Sequence, residues 1–222
     1  MAEPVVLSWS GGKDSALALA ALRADVRYEP VALLTTITTG VDRVSIHGVR
    51  RALLDAQAAA VGLPLLEVLL EPQSSNDAYE AAFASGVAAM RSRYPGVECI
   101  AFGDLFLADV RAYRERLLAS LDVRPLFPIW GEPTDRLARA FVDDGYHARL
   151  VCVDTTALPM TFSGRVYDAA LLADLPPDVD PCGERGEFHT FVSAGPGWAR
   201  AVGYDVGDIV LRDGRFAYCD LI

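Results

Sequence analysis

A short apolar run, Val5-Val6-Leu7, feeds Ser10-Gly11-Gly12-Lys13-Asp14-Ser15, after which Ala16, Leu17, Leu19 and Ala20 continue at helical spacing. This opening constrains the fold more than any other stretch. A continuous apolar run suits a strand buried on both faces, and a strand leading straight into a helix begins a parallel sheet. Two glycines let the backbone approach an anion more closely than residues with a Cβ allow. Their N–H groups, with those of the helix N-terminus behind them, form a cradle for negative charge. Ser10 and Ser15 add hydroxyl donors, Lys13 a compact positive charge, and Asp14 an oxygen for Mg²⁺. The spacing is too short for a Walker A loop, Lys13 is followed by Asp, and the loop does not read as G-x-G-x-x-G.

Strand and helix patterns alternate through the first two-thirds of the chain. Val31 to Ile37 is a second β-rich run, and Val49, Leu53, Ala56 and Ala60 then recur at helical spacing up to Gly62. Leu65 to Leu70 reads as a third strand. Ser75 or Asn76 caps a helix with Tyr79, Phe83, Val87 and Met90 inward, and Cys99 to Phe102 is a fourth strand ending at Gly103-Asp104. Asp109 to Leu121 is an amphipathic helix. In Pro125-Leu126-Phe127-Pro128-Ile129-Trp130 the prolines bar a central strand position. Beyond Gly131 the pattern predicts a helix capped by Thr134, a strand at Leu150 to Val153 and irregular Gly/Pro-rich chain from Leu158 to Gly197. A hairpin follows from Ile209 to Tyr218, turning at Asp213-Gly214. The expected fold is α/β, a parallel sheet with helices on both faces over 1–130, plus a smaller α+β domain over 131–222.

Hydrophobic residues make up 52% of the 222 and charged residues 23%, enough for a substantial core. A net charge of −10 repels polyanions, and the densest basic cluster, Arg50-Arg51, reads as a helix surface, so nucleic acid is not an expected partner. Four cysteines lie far apart with no C-x-x-C pair, which argues against a zinc knuckle or a dithiol centre. Cys99 and Cys152 sit in apolar runs as core thiols. No signal peptide and no run of membrane-spanning length is read, so a cytoplasmic protein with no membrane partner is expected. A homo-oligomer stays open.

Several other residues are candidates for chemistry. Asp104, at the carboxyl end of the fourth strand, stands where open α/β sheets bind ligands, as a Mg²⁺ or nucleotide contact or as a turn cap. Arg111 and Arg114, three apart, can reach one anion or form a solvated helix face. His47 follows the second strand as a nucleotide contact or a cap, and Trp130 fills a core or stacks on a base. Glu184 and Glu187 form a carboxylate pair in a Gly-punctuated stretch, and one could take a proton from an attacking amine. Cys182 is a nucleophile only beside a base or positive charge, which His189 could supply.

Ser10 to Ser15 resembles the signature loop of the PP-loop ATP pyrophosphatases. Gly103-Asp104 with Arg111, Arg114 and Glu115, then Pro125 to Trp130, then Asp154 and Leu158, and finally Cys182 to Val192 with Gly195-Pro196, resemble successive blocks of the diphthine–ammonia ligase family. The resemblance implies a HUP-like ATP domain and cleavage of ATP between its α and β phosphates, with Mg²⁺. It also implies attack by ammonia on an adenylated carboxylate. Lys13, Asp104, Glu184 and Glu187 are then the catalytic set. Ser10, Gly11, Gly12, Lys13, Asp14, Ser15, His47, Gly103, Arg111 and Arg114 are nucleotide contacts, and Asp14 and Asp104 hold the metal. Cys182 and His189 stand where the amidating members are expected to carry Glu, and the Ala- and Arg-rich composition suggests a bacterial source, where diphthine is not expected. The acceptor carboxylate is therefore unidentified. Glu184 and Glu187, more than 160 residues from the loop, are expected to act on acceptor or ammonia rather than on ATP. The rivals are a PP-loop tRNA-thiolating transferase, disfavoured by the acidic charge and missing C-x-x-C, and a nucleotide sensor without turnover.

Overall fold

In the first strand, β1 (Glu3–Ser8), Val5 and Leu7 enter one apolar cluster while Val6 enters another on the opposite face. That division organises the protein, as seen in a computed structural model that describes residues 1–41, 43–44 and 48–222. On the Val6 side pack α3 (Asn76–Arg93), through Phe83, Val87 and Met90, and α4 (Ala108–Ser120), through Leu117 and Leu118. On the Val5 side pack α1 (Lys13–Ala24) and α2 (Arg51–Val61).

Five parallel strands run in the order β4 (Leu65–Leu70), β2 (Tyr28–Thr38), β1, β5 (Cys99–Ala101) and β6 (Arg124–Leu126). The two-residue β3 (Arg43–Val44) joins the end of β2 antiparallel. Pro125 lies in β6, opposite Ile100, on a sheet edge. It is there that a residue without an N–H is tolerated. A second sheet is wholly antiparallel, ordered β8 (Phe188–Ala194), β7 (His147–Asp154), β10 (Phe216–Leu221) and β9 (Val206–Arg212). Leu150, Val153, Phe188 and Phe191 of this sheet share one continuous core with Val5, Leu7 and Leu33. The parallel sheet with helices on both faces is thus as expected from the sequence. No helix of the described residues is long and apolar enough to cross a membrane.

The caps follow local chemistry. Gly62 closes α2 in the left-handed region, and Asp213 and Gly214 both take positive φ in the hairpin turn. Two expectations need correction. Residues 158–197 are not irregular throughout, since they hold β8 and α6 (Ala169–Asp174). Glycines and prolines around Phe188-His189-Thr190-Phe191-Val192 mask a strand that is buried almost throughout. Thr134 does not cap α5 (Thr134–Asp143): Pro133 holds the cap position, and the Thr134 hydroxyl donates to Asp180 Oδ2 at 2.7 Å. At α3 the expectation holds, with Ser75 Oγ accepting the N–H of Ala78 at 3.2 Å. Replacing Ser75 with Ala should lower stability by about 1 kcal/mol in urea titration, with the slope unchanged.

Candidate functional site at the phosphate loop

From β1 the next strands add on one side, β2 then β4, and the later ones on the other, β5 then β6. The loops leaving β1 and β5 therefore flank the point where strand order reverses, the place where open α/β sheets hold ligands. Those loops are Ser10 to Ser15 and Gly103-Asp104. They line a cavity of about 200 Å³ together with Arg114, Glu184, His189 and Thr190. Two of the glycines are required by close approach. A Cβ on Gly11, at φ +78°, would lie 2.7 Å from Gln57 Oε1, and one on Gly103 would lie 2.8 Å from the carbonyl of Asp14.

The antiparallel sheet holds the loop in place. Val192 N–H donates to the Gly11 carbonyl at 2.9 Å, and Lys13 N–H donates to Thr190 Oγ1 at 3.1 Å. Gln57, fully buried in α2, donates to the carbonyls of Gly11 (3.0 Å) and Val192 (2.5 Å) and accepts from Trp9 Nε1 (2.9 Å). Sequence reasoning singles out neither Gln57 nor Trp9, and includes Thr190 only as part of the Cys182 to Val192 block. A lone amide among Leu53, Leu54, Ala58 and Ala60 was the one available signal for Gln57.

Lys13 does not face solvent, being only 2% exposed. Its ammonium donates to Asp14 Oδ2 at 3.0 Å and to the carbonyl of Cys182, and it lies 5.5 Å from the centre of the Phe188 ring. Burial alone would push its pKa down, but the pull of Asp14, Cys182 and Glu184 outweighs that and keeps the amine charged. The other oxygen of Asp14, Oδ1, is buried without a hydrogen-bond partner.

Glu184 reaches this cavity from the distant loop 180–187. Its Oε1 accepts the N–H groups of Leu105 (2.8 Å) and Phe106 (3.4 Å), so its carboxylate stands beside the phosphate loop. Burial raises its pKa to about 6. Glu187 is not in the cavity: its oxygens accept the N–H groups of Asp180 (2.9 Å) and Arg185 (3.0 Å) inside the same loop. Asp180, also buried, accepts from Cys182 N–H at 2.8 Å. These two carboxylates fold the loop that presents Glu184. Burial pushes the Cys182 thiol up to about 12, and burial with nearby Lys13 pushes His189 down to about 4. The Cys182 thiol meets the Thr134 carbonyl at 3.4 Å.

Arg114 and Arg111 part company. Arg114 lines the cavity and bonds both oxygens of Asp104, at 2.5 and 3.1 Å. Arg111 binds Glu115 at 2.8 Å and lies over the rings of Phe127 and Trp130, away from the cavity lining. Trp130 is half-buried at that stack instead of filling the core. His47 lies outside the described residues. A second cavity, about 460 Å³, adjoins the first and shares Ser8, Ser10 and Arg114 with it. It opens over the ends of β1, β2 and β4, with Thr35, Tyr79 and Phe83 in its wall. Thr35 Oγ1 is buried without a partner.

The model of the diphthamide synthase N-terminal domain matches residues 3–125, more than half of the chain, and its span takes in both loops at the switch point. The chain belongs to the diphthamide synthase family. No curated protein matches it. With this membership the short Ser-Gly-Gly-Lys-Asp-Ser loop is a PP-loop.

For a Mg²⁺ ion, the diphthamide synthase site has a thin set of donors. Among the described residues no group of three or more His, Cys, Asp or Glu could hold a metal. Mg²⁺ needs no such cage, because it takes one or two carboxylates and fills its shell with phosphate and water. Asp14, with its orphan Oδ1, fits that role; Asp104 would have to give up a contact with Arg114.

Two outcomes follow from this geometry. Gln57→Leu leaves Trp9 Nε1 and the Val192 carbonyl without their partner, and should cost roughly 2–3 kcal/mol in denaturant titration. Glu184, with its pKa raised from 4.5 to about 6, binds more protons in the folded than in the unfolded state across that window. Stability should therefore fall as pH rises from 4.5 to about 6. Thermal melts of Glu184→Gln across the same pH range should lack that component of the fall.

Proposed function

We propose that this protein is an ATP-dependent ligase that releases AMP and pyrophosphate, adenylating a carboxylate that ammonia then converts to an amide. One observation carries the nucleotide part of this reading. Two adjoining cavities share Ser8, Ser10 and Arg114, and between them their linings include, among the described residues, both that carry an orphan buried oxygen, Asp14 and Thr35. The smaller is walled by a helix N-terminus, Lys13 and Arg114, which suit phosphates. The larger has Tyr79 and Phe83 in its wall, which suit a base and sugar.

In this reading the phosphates compete with Asp14 and the Cys182 carbonyl for the Lys13 ammonium, and Arg114 faces the junction between nucleoside and phosphates. Asp14 would hold Mg²⁺, which would supply charge neutralisation when bound. The acceptor carboxylate attacks the α-phosphorus, pyrophosphate leaves, and the mixed anhydride so formed has AMP as a good leaving group. Ammonia attacks the anhydride carbonyl and loses a proton as AMP departs. Glu184, beside the phosphate loop and with a pKa near 6, can accept that proton. Residues 1–130 form the nucleotide unit here. Residues 131–222 form the acceptor-side unit, and Glu184 is its contribution to the shared cavity.

The test is product analysis. Radiolabelled ATP, ammonium and fractionated cell extract as a source of acceptor, incubated with the protein, should yield AMP and pyrophosphate in equal amounts on chromatography. Glu184→Gln should keep nucleotide binding in calorimetry while amide formation drops by about 10²-fold or more. Stoichiometric ADP would overturn the reading.

A further inference from the structure

The two outer edges of the antiparallel sheet differ. The β8 side docks on the phosphate loop through Val192 and Thr190. The strand at the other edge, β9, pairs with β10 alone among the described residues. It is seven residues long, without proline or lysine, and although its register against β10 shifts between Val206 and Ile209, it pairs regularly from Ile209 to Arg212 and leaves that outer edge open to another strand. Val206, Ile209, Val210 and Leu211 keep 51, 44, 48 and 49% of their surface exposed. By contrast β6, the edge of the parallel sheet, is three residues long and carries Pro125.

We propose that the chain forms a dimer by pairing β9 antiparallel with β9 of a second copy, about a two-fold axis at Val210. The charges select both occupant and register. A two-fold axis normal to the sheet places one residue opposite itself, and its neighbours opposite each other in order. Centred on Val210, Asp208 meets Arg212 of the second copy twice, and Ile209 meets Leu211 twice. Centring on Asp208 or Arg212 sets like charges face to face, whereas centring on Ile209 or Leu211 sets Asp208 or Arg212 against Val210. Only the Val210 register sets Asp208 against Arg212 and Ile209 against Leu211, opposite charges together and large apolar side chains together, which is what stabilises cross-strand neighbours; Val206 lies beyond the paired stretch.

The two faces agree with this assignment. Asp208, Val210 and Arg212 lie on the face of Tyr218, over whose ring the Arg212 guanidinium sits at 5.3 Å. Ile209 lies on the face of Cys219 and Gly164, and Leu211 shares it by alternation. The dimer thus carries an ionic row on one face and an apolar row on the other. No ion pair joins Asp208 or Arg212 to another described residue of the same chain, so the charges are available to the second copy.

Sedimentation velocity of the full chain over a concentration series tests the proposal. The unmodified protein should sediment as a dimer. Asp208→Arg alone and Arg212→Asp alone each set two like-charge pairs in the interface and should weaken the dimer by roughly tenfold. The double swap restores opposite charges and should recover the original dissociation constant. Val210→Lys, which brings two ammonium groups together at the axis, should give a monomer with an unchanged circular dichroism spectrum. A monomer at every concentration overturns the proposal. So does a dimer that both single swaps leave intact, or one that the double swap fails to restore.

Discussion

The docking of β8 onto the phosphate loop is the contact on which the remaining architecture depends. Val192 N–H meets the Gly11 carbonyl, Thr190 Oγ1 meets Lys13 N–H, and Gln57 bridges the carbonyls of Gly11 and Val192. A loop built from glycines has little conformational preference of its own, and its ordering costs more backbone entropy than that of other residues. Here the cost is met by hydrogen bonds from a strand more than 170 residues away in the chain. The antiparallel sheet is therefore part of the loop's support as well as a neighbour of the parallel sheet, and one apolar core runs through both.

The buried lysine follows from the same docking. With Thr190 and Val192 fixed against the loop, the chain leading into β8 passes over Lys13, and its ammonium finds Asp14 and the Cys182 carbonyl. A buried ammonium is tolerable only when paired. The pairing also ties the nucleotide loop to the segment that carries Glu184, so a change at Lys13 is felt by Glu184 and the reverse. Asp180 and Glu187 stiffen that segment through main-chain N–H groups, leaving Glu184 as the carboxylate that enters the cavity.

Much of the fold was legible in the sequence because its signals are local. Val5-Val6-Leu7 had to be buried on both faces, Gly62 and Ser75 mark helix ends by their own chemistry, and Asp213-Gly214 adopts the positive φ values of a hairpin turn. Composition misled where it outweighed pattern. The glycines and prolines between Leu158 and Gly197 suggested irregular chain, yet Phe188 to Ala194 is a buried strand whose partners lie in β7. Among the site candidates, the loop and Gly103-Asp104 converge as a strand-order argument would have them. Arg114 joins them and Arg111 does not, because a helical spacing of three says nothing of what else competes for each guanidinium.

The sequence by itself determined the PP-loop, the strand before it and the helix after it, since backbone reach, anion chemistry and apolar burial are all encoded within about twenty adjacent residues. Only the tertiary structure decided which distant groups meet that loop. Glu184 enters the cavity while Glu187, three positions on, serves its own loop; Lys13 is buried rather than open; and Gln57 anchors a glycine carbonyl. Such outcomes depend on which main-chain N–H groups are left over once two sheets have packed. That remainder is a property of the assembled fold, and no short window of residues carries it.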